Sequence, residues 1–117
     1  MPFKKFRFTS FLHAFRGFKY LISEPNFKVH IIAALLAIAA GFLLHISPVE
    51  WLVIGMVIGM VLIAEAFNTA IEKLSDKLHP GRDIQIKKLK DISAAAVLIA
   101  AITAVITAGI VFLRSEE

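Results

Sequence analysis

Three stretches of this chain are apolar over lengths that a small soluble core does not absorb. They are IIAALLAIAAGFLLHI from Ile31, WLVIGMVIGMVLIAEAFNTAI from Trp51 and ISAAAVLIAAITAVITAGIVFL from Ile92. At about 1.5 Å of rise per residue, roughly 20 helical residues cross the ~30 Å hydrocarbon core of a bilayer. The second and third stretches reach that length, and the first does so with its flanking residues. Of the 117 residues, 58% are hydrophobic and only 19% are charged, too few to solvate the surface of so small a soluble domain. The expectation is an all-α membrane protein. It is a single domain over residues 1–117, with spans at about 29–47, 50–72 and 91–113.

The basic residues set the orientation. Six precede the first apolar stretch (Lys4, Lys5, Arg7, Arg16, Lys19 and Lys28), six lie between Lys73 and Lys90, and Arg114 is the thirteenth. Between the first two stretches, HISPVEW carries no Lys or Arg. Bases concentrated in alternate flanks follow the positive-inside rule. They place the amino terminus and the 73–90 connector in the cytoplasm, with the first hairpin and the carboxyl terminus outside the cell (inner) membrane. That distribution explains the net charge of +4 without nucleic acid as a partner. There is no cysteine, hence neither a disulfide framework nor a thiolate metal site. The amino terminus lacks the continuous apolar core of a secretory signal. Instead, Phe8, Phe11, Leu12, Phe15, Phe18 and Ile22 recur at three- and four-residue intervals, the mark of an amphipathic surface helix over residues 3–22.

Polar residues interrupt this pattern in one place. At about 100° per residue, Glu65, Glu72 and Asp76 fall within about 40° of one another on the second span, with Asn68 and Thr69 on the flanks. Glu65 lies about 21 Å down the helix from Trp51, inside the hydrocarbon. A carboxylate there is costly, and a short Glu side chain does not snorkel as Lys does. Glu65 therefore reads as a functional site or a buried polar partner. For Glu72 and Asp76 an interfacial carboxylate reaching toward water is a competing reading. Two more clusters meet the same membrane face: Glu24, Asn26, Lys28 and His30 before the first span, and Lys90 and Asp91 entering the third. Carboxylates, an amide and a lysine at one face suit a divalent cation bridging phosphates. No phosphate-binding glycine loop is present, so side chains and metal must hold any nucleotide. No two histidines have the local spacing of a zinc site.

EAFNTAIEKLSD, followed eighteen residues after its second Glu by KDISAAAVL, resembles the small prokaryotic diacylglycerol kinase family. EPNFKVH, from Glu24 to His30, is similar to the matching segment of that family's undecaprenol kinase branch. The resemblance covers about Phe8 to Phe112. It implies a homotrimer of three-span lipid kinases with an amino-terminal surface helix, using ATP and Mg²⁺ to phosphorylate a membrane lipid alcohol. Undecaprenol is favoured over diacylglycerol. The carry-over makes Glu65 the general base and Glu24 and Glu72 the magnesium ligands. Lys90, Asp91, Arg7 and Asp83 join Glu24 and Glu72 in contacting ATP. Asn68, Arg16, Asn26, His30 and Asp76 support the site or the lipid substrate. The chain departs from the family between Gly17 and Glu24, one residue shorter than usual, and at GRDI, where EYHP is common.

Two other classes compete. A small ion or proton channel would use Glu65 as an intramembrane site, but would need polar residues through the full membrane depth. A structural or assembly protein leaves the convergence of acids unexplained.

Overall fold

Proline and serine open the helices, and a left-handed residue and a Pro-Gly break close them. The computed structural model describes residues 8–114. It contains four helices: α1 (Phe8–Ile22), α2 (Pro25–Leu44), α3 (Pro48–Leu78) and α4 (Ile84–Arg114). There is no strand among the described residues. The last three are long and apolar enough to cross a membrane, so the protein is a multi-pass membrane protein. Of the surface-helix expectation, residues 8–22 are helical, and 3–7, including Arg7, lie outside the described residues.

Glu24 is extended (φ −83°, ψ 129°) and Pro25 supplies the first helical turn of α2. Helix α2 closes on His45, which sits at φ 53°. The Ile46 amide donates to the Gly41 carbonyl at 3.2 Å and the His45 amide to Phe42 at 3.4 Å, the paired bonds of a Schellman motif. Three residues later α3 starts with a capping box. The Glu50 amide donates to Ser47 Oγ at 3.2 Å, and the Ser47 amide donates to Glu50 Oε1 at 2.8 Å. Trp51 folds back over Gly41, its ring 4.8 Å from that of Phe42. Beside this hairpin lies the apolar core of Ile46, Ile54 and Val111, flanked by Trp51, Ile58 and Phe112.

The connector expected over 73–90 is corrected by the structure. Helix α3 continues to Leu78 and α4 begins at Ile84, leaving only 79–83 non-helical. The reason is local. EKLSDKL and IQIKKLK are rich in good helix formers, whereas His79, Pro80 and Gly81 are not. Loss of apolar character marks where the helices leave hydrocarbon, not where they end. Asp83 restarts the chain as a cap, its Oδ2 accepting from the Ile86 amide at 3.0 Å.

Helix α3 packs chiefly on α4 and then on α2, while α1 makes its main contact with α2. Large apolar residues such as Leu36, Leu43, Met56, Ile99 and Val105 are exposed around the bundle, as a lipid-facing surface requires. Burying such groups gains little when the alternative is a lipid tail. Helix association therefore depends on close packing and on polar contacts between helices.

Candidate functional site

The polar contacts gather at the end of the bundle opposite the 45–47 hairpin. Glu65 is 3% exposed, one turn along α3 from the buried Val61. Its Oε1 lies 3.5 Å from His30 Nε2 on α2. Its Oε2 accepts a hydrogen bond from Thr69 Oγ1, 3.4 Å away and one turn further along α3. Asn68, on the flank of the same turn, accepts from Ser93 Oγ of α4 at 2.6 Å. The Lys90 carbonyl lies 3.0 Å from the same hydroxyl, so the Ser93 proton is shared between two acceptors. One layer thus draws His30 from α2, Glu65, Asn68 and Thr69 from α3, and Ser93 from α4. No buried side-chain polar atom among the described residues lacks a partner. That matters because no water is at hand in hydrocarbon to repair an orphan.

Beyond this layer the charges pair across helices. Glu24 Oε2 lies 3.0 Å from Lys73 Nζ, tying the start of α2 to α3. Asp76 accepts from Lys90 Nζ, tying α3 to α4. Lys87 and Asp91, one turn apart on α4, pair at 2.6 Å. Glu72, half-buried between these pairs and the Glu65 layer, has no hydrogen bond or ion pair with a described residue. The helical face Glu65–Glu72–Asp76 is therefore graded: a buried carboxylate, a half-buried unpaired one, and an exposed one held by a lysine.

The structure unites some of the expected residues and separates others. Glu65 and His30 meet, and Asn68 joins their layer. Glu24, Lys90 and Asp76 stand at the same end, engaged with lysine or carboxylate partners. Asp91 is taken up by Lys87 on its own helix, and Asp83 is taken up in capping α4. Asn26 is exposed on the first turn of α2. Arg16 is exposed on α1, its Nη1 3.2 Å from His13 Nδ1. Among the described residues no three His, Asp or Glu side chains form a ready metal cage. Sequence reasoning missed Ser93 and Lys73. Ser93 is a lone small polar residue where α4 turns apolar, and Lys73 directly follows Glu72.

Chemically the arrangement offers a shielded proton acceptor held on two sides. Next to it, toward the basic end of the bundle, lies a band of carboxylates and lysines suited to a polyanion with its cation. Residues 12–112 match the family model described as prokaryotic diacylglycerol kinase. The undecaprenol kinase of Bacillus subtilis is 38% identical over 111 residues, covering 91% of this chain and 87% of that protein. A diacylglycerol kinase of Synechocystis is 35% identical over 107 residues, covering 90% of this chain and 61% of that protein. The diacylglycerol kinase of Escherichia coli K12 is 34% identical over 86 residues, covering 74% of this chain and 70% of that protein.

Proposed function

The chain belongs to the prokaryotic diacylglycerol kinase family and is a membrane lipid kinase; from that premise we propose that it transfers the γ-phosphoryl group of ATP to the hydroxyl of a polyprenol such as undecaprenol. The observation that carries the reading is the Glu65 carboxylate, 3% exposed within an apolar span and faced by His30 and Thr69. A group kept from water at that depth meets a membrane alcohol more readily than a soluble one. The substrate oxygen attacks the γ-phosphorus, the bond from that phosphorus to the β,γ-bridging oxygen breaks, and ADP leaves. Glu65 accepts the hydroxyl proton. His30 and Thr69 hold its two oxygens, so the acceptor is oriented before the alcohol arrives.

Glu24 and Glu72 are the carboxylates suited to Mg²⁺. That ion keeps much of its shell as water and phosphate oxygen, and one or two protein carboxylates suffice to hold it. When bound, it neutralises charge on the transferring phosphoryl group. Glu24, now 3.0 Å from Lys73, would hold the cation from α2, and Glu72, which has no ion-pair partner among the described residues, would hold it from α3. Lys90, paired with Asp76 of α3, and Asp91, paired with Lys87 one turn earlier on α4, serve the nucleotide from that side. The basic end faces the cytoplasm, where ATP is found, and the active protein is a homotrimer.

The polyprenol choice is supported by the undecaprenol kinase of Bacillus subtilis and by Glu24, Asn26 and His30 in the EPNFKVH segment. Diacylglycerol is the second reading, supported by the names of the other two relatives. Purified full-length protein in lipid nanodiscs, given ATP and Mg²⁺, should phosphorylate undecaprenol in preference to diacylglycerol. Faster transfer to diacylglycerol would reverse the substrate choice, and transfer to neither would remove the lipid-alcohol reading.

A further inference from the structure

Between α2, α3 and α4 runs a partly open cavity of about 190 Å³. Its walls are unusually small on two sides. Ala33, Ala34 and Ala37 line it from α2, and Ala101, Ala104 and Ala108 from α4. Seven residues separate Ala101 from Ala108, so the slot runs about 10 Å along α4. Apart from His30 every lining residue is apolar. Water would find almost no partners along such walls, and hydrocarbon would lose none.

Its position gives the slot meaning. His30 belongs to the lining, and the same ring lies 3.5 Å from Glu65. Val61, also in the lining, is one turn of α3 from Glu65. The alkyl slot therefore ends at His30, beside the buried carboxylate, with no other polar side chain in its lining. A chain lying in the slot brings its end to Glu65.

We propose that this slot binds the first hydrocarbon units of a single-chain lipid alcohol, whose hydroxyl-bearing carbon is bonded directly to hydrocarbon, and that Ala34 and Ala104 set this preference from opposite walls. The proposal rests on the kinase reading and narrows its substrate class. In a 1,2-diacylglycerol, one ester stands on the carbon next to the one bearing the hydroxyl and the other on the carbon beyond it. Seated with its hydroxyl at Glu65, that lipid would carry ester oxygens into walls whose only polar group, His30, already faces Glu65. A prenol or a long-chain alcohol brings no such groups. Alanine at both walls leaves room for the methyl branches of a prenyl chain, and a branched side chain at either position takes that room away.

The test uses full-length protein in nanodiscs and a C20 prenol carrying a diazirine in the unit next to its hydroxyl. Photolysis should label residues 30–37 and 101–108, and excess undecaprenol should suppress the label. Ala34→Leu and Ala104→Leu should each raise KM for the prenol tenfold or more and reduce labelling, with KM for ATP unchanged. Labelling confined to α1 or to the outer faces of the bundle overturns the proposal. So does photocrosslinking between two copies at 101–108, because a second chain then covers the slot. A Leu variant with unaltered circular dichroism and unaltered prenol KM overturns it as well. Where neither Leu variant folds, the labelling map of the parent protein decides. Slot labelling without phosphate transfer would sink the kinase reading and leave the slot standing, whereas transfer with labelling elsewhere would do the reverse.

Discussion

Helix α3 carries carboxylates near both of its ends, and the two ends use them differently. At the hairpin end Glu50 turns back on its own helix and closes a capping box with Ser47, three residues away. Around it Trp51, Phe42, Gly41 and Ile46 fill space with apolar groups. At the basic end the polar groups face other helices. Glu65 meets α2, Asn68 meets α4, Lys73 reaches Glu24, and Asp76 reaches Lys90. Local bonds secure a turn, whatever the rest of the bundle does. Bonds between helices depend on all three spans being in register, so the basic end is where packing and chemistry are coupled. Changes at the hairpin should therefore alter stability without altering chemistry. Changes in the Glu65 layer should do the opposite, or both.

The largest effect expected is at Glu65. Glu65→Gln keeps the shape and the hydrogen-bonding capacity toward Thr69 but removes the proton acceptor. Turnover should fall by about 10²–10⁴-fold, the usual worth of a general base. Binding of Mg²⁺–ATP and resistance to thermal unfolding in detergent should remain near the parent values. Near-parental turnover at saturating lipid would show that Glu65 serves packing, and the contrast between the two ends would collapse.

How far sequence reached is visible at this same residue. The helical face Glu65–Glu72–Asp76 and the depth of Glu65 follow from the 3.6-residue period, a property of one helix. The spans follow from apolar length. What pairs with what does not follow, because contact between helices depends on rotation and axial offset that no single-helix pattern encodes. Hence Glu24 with Lys73, and Ser93 with Asn68, were invisible. The helical ends of the 73–90 stretch escape the pattern for another reason: charge marks the exit from the membrane, and helix propensity continues beyond it. Asp83 and Asp91 show the same limit. Each has a structural partner three or four residues away, which any nucleotide role must share.

Next in size is a change at the hairpin. A Cβ at Gly41 would lie 2.6 Å from Trp51 Cη2, so the ring must move and with it the contact to Phe42. Gly41→Leu should cost about 1–3 kcal/mol, as overpacking does elsewhere. Thermal unfolding followed by tryptophan fluorescence measures it, Trp51 being the single tryptophan. The folded fraction should retain its KM for ATP. A raised KM would mean that the two ends communicate.

Glu72 sharpens the comparison from the metal side. Because it has no ion pair or hydrogen bond among the described residues, Glu72→Gln should leave unfolding unchanged. It should weaken the apparent Mg²⁺ affinity by roughly tenfold, equivalent to about 1.4 kcal/mol. Titration calorimetry with Mg²⁺ at fixed ATP separates the two readouts. An unchanged titration would remove Glu72 from the metal site.

Ser93→Ala takes away the donor to Asn68, whose residue is 5% exposed. Interhelical hydrogen bonds in membranes average about 0.6 kcal/mol and reach about 1.7. Unfolding in detergent should shift by an amount in that range. Turnover should fall no more than a few-fold, since Glu65 keeps both His30 and Thr69. A loss comparable to that of Glu65→Gln would mean that Asn68 and Ser93 act directly on the reacting groups.

The smallest effect concerns Lys87 and Asp91, and it distinguishes two uses of one carboxylate. Their side chains are 68% and 63% exposed and one helical turn apart. Such a pair contributes about 0.3–0.5 kcal/mol and is screened by salt. Lys87→Ala should therefore change unfolding by no more than about 0.5 kcal/mol, less at 0.5 M salt, with turnover unaltered. Asp91→Asn breaks the same pair and should cost the same stability. If Asp91 also serves the nucleotide, Asp91→Asn alone should raise KM for ATP, because Lys87→Ala leaves the carboxylate in place and released. Matching KM values in the two variants would confine Asp91 to the helix surface and move the nucleotide contacts to Lys90 and Glu72, deeper in the same band.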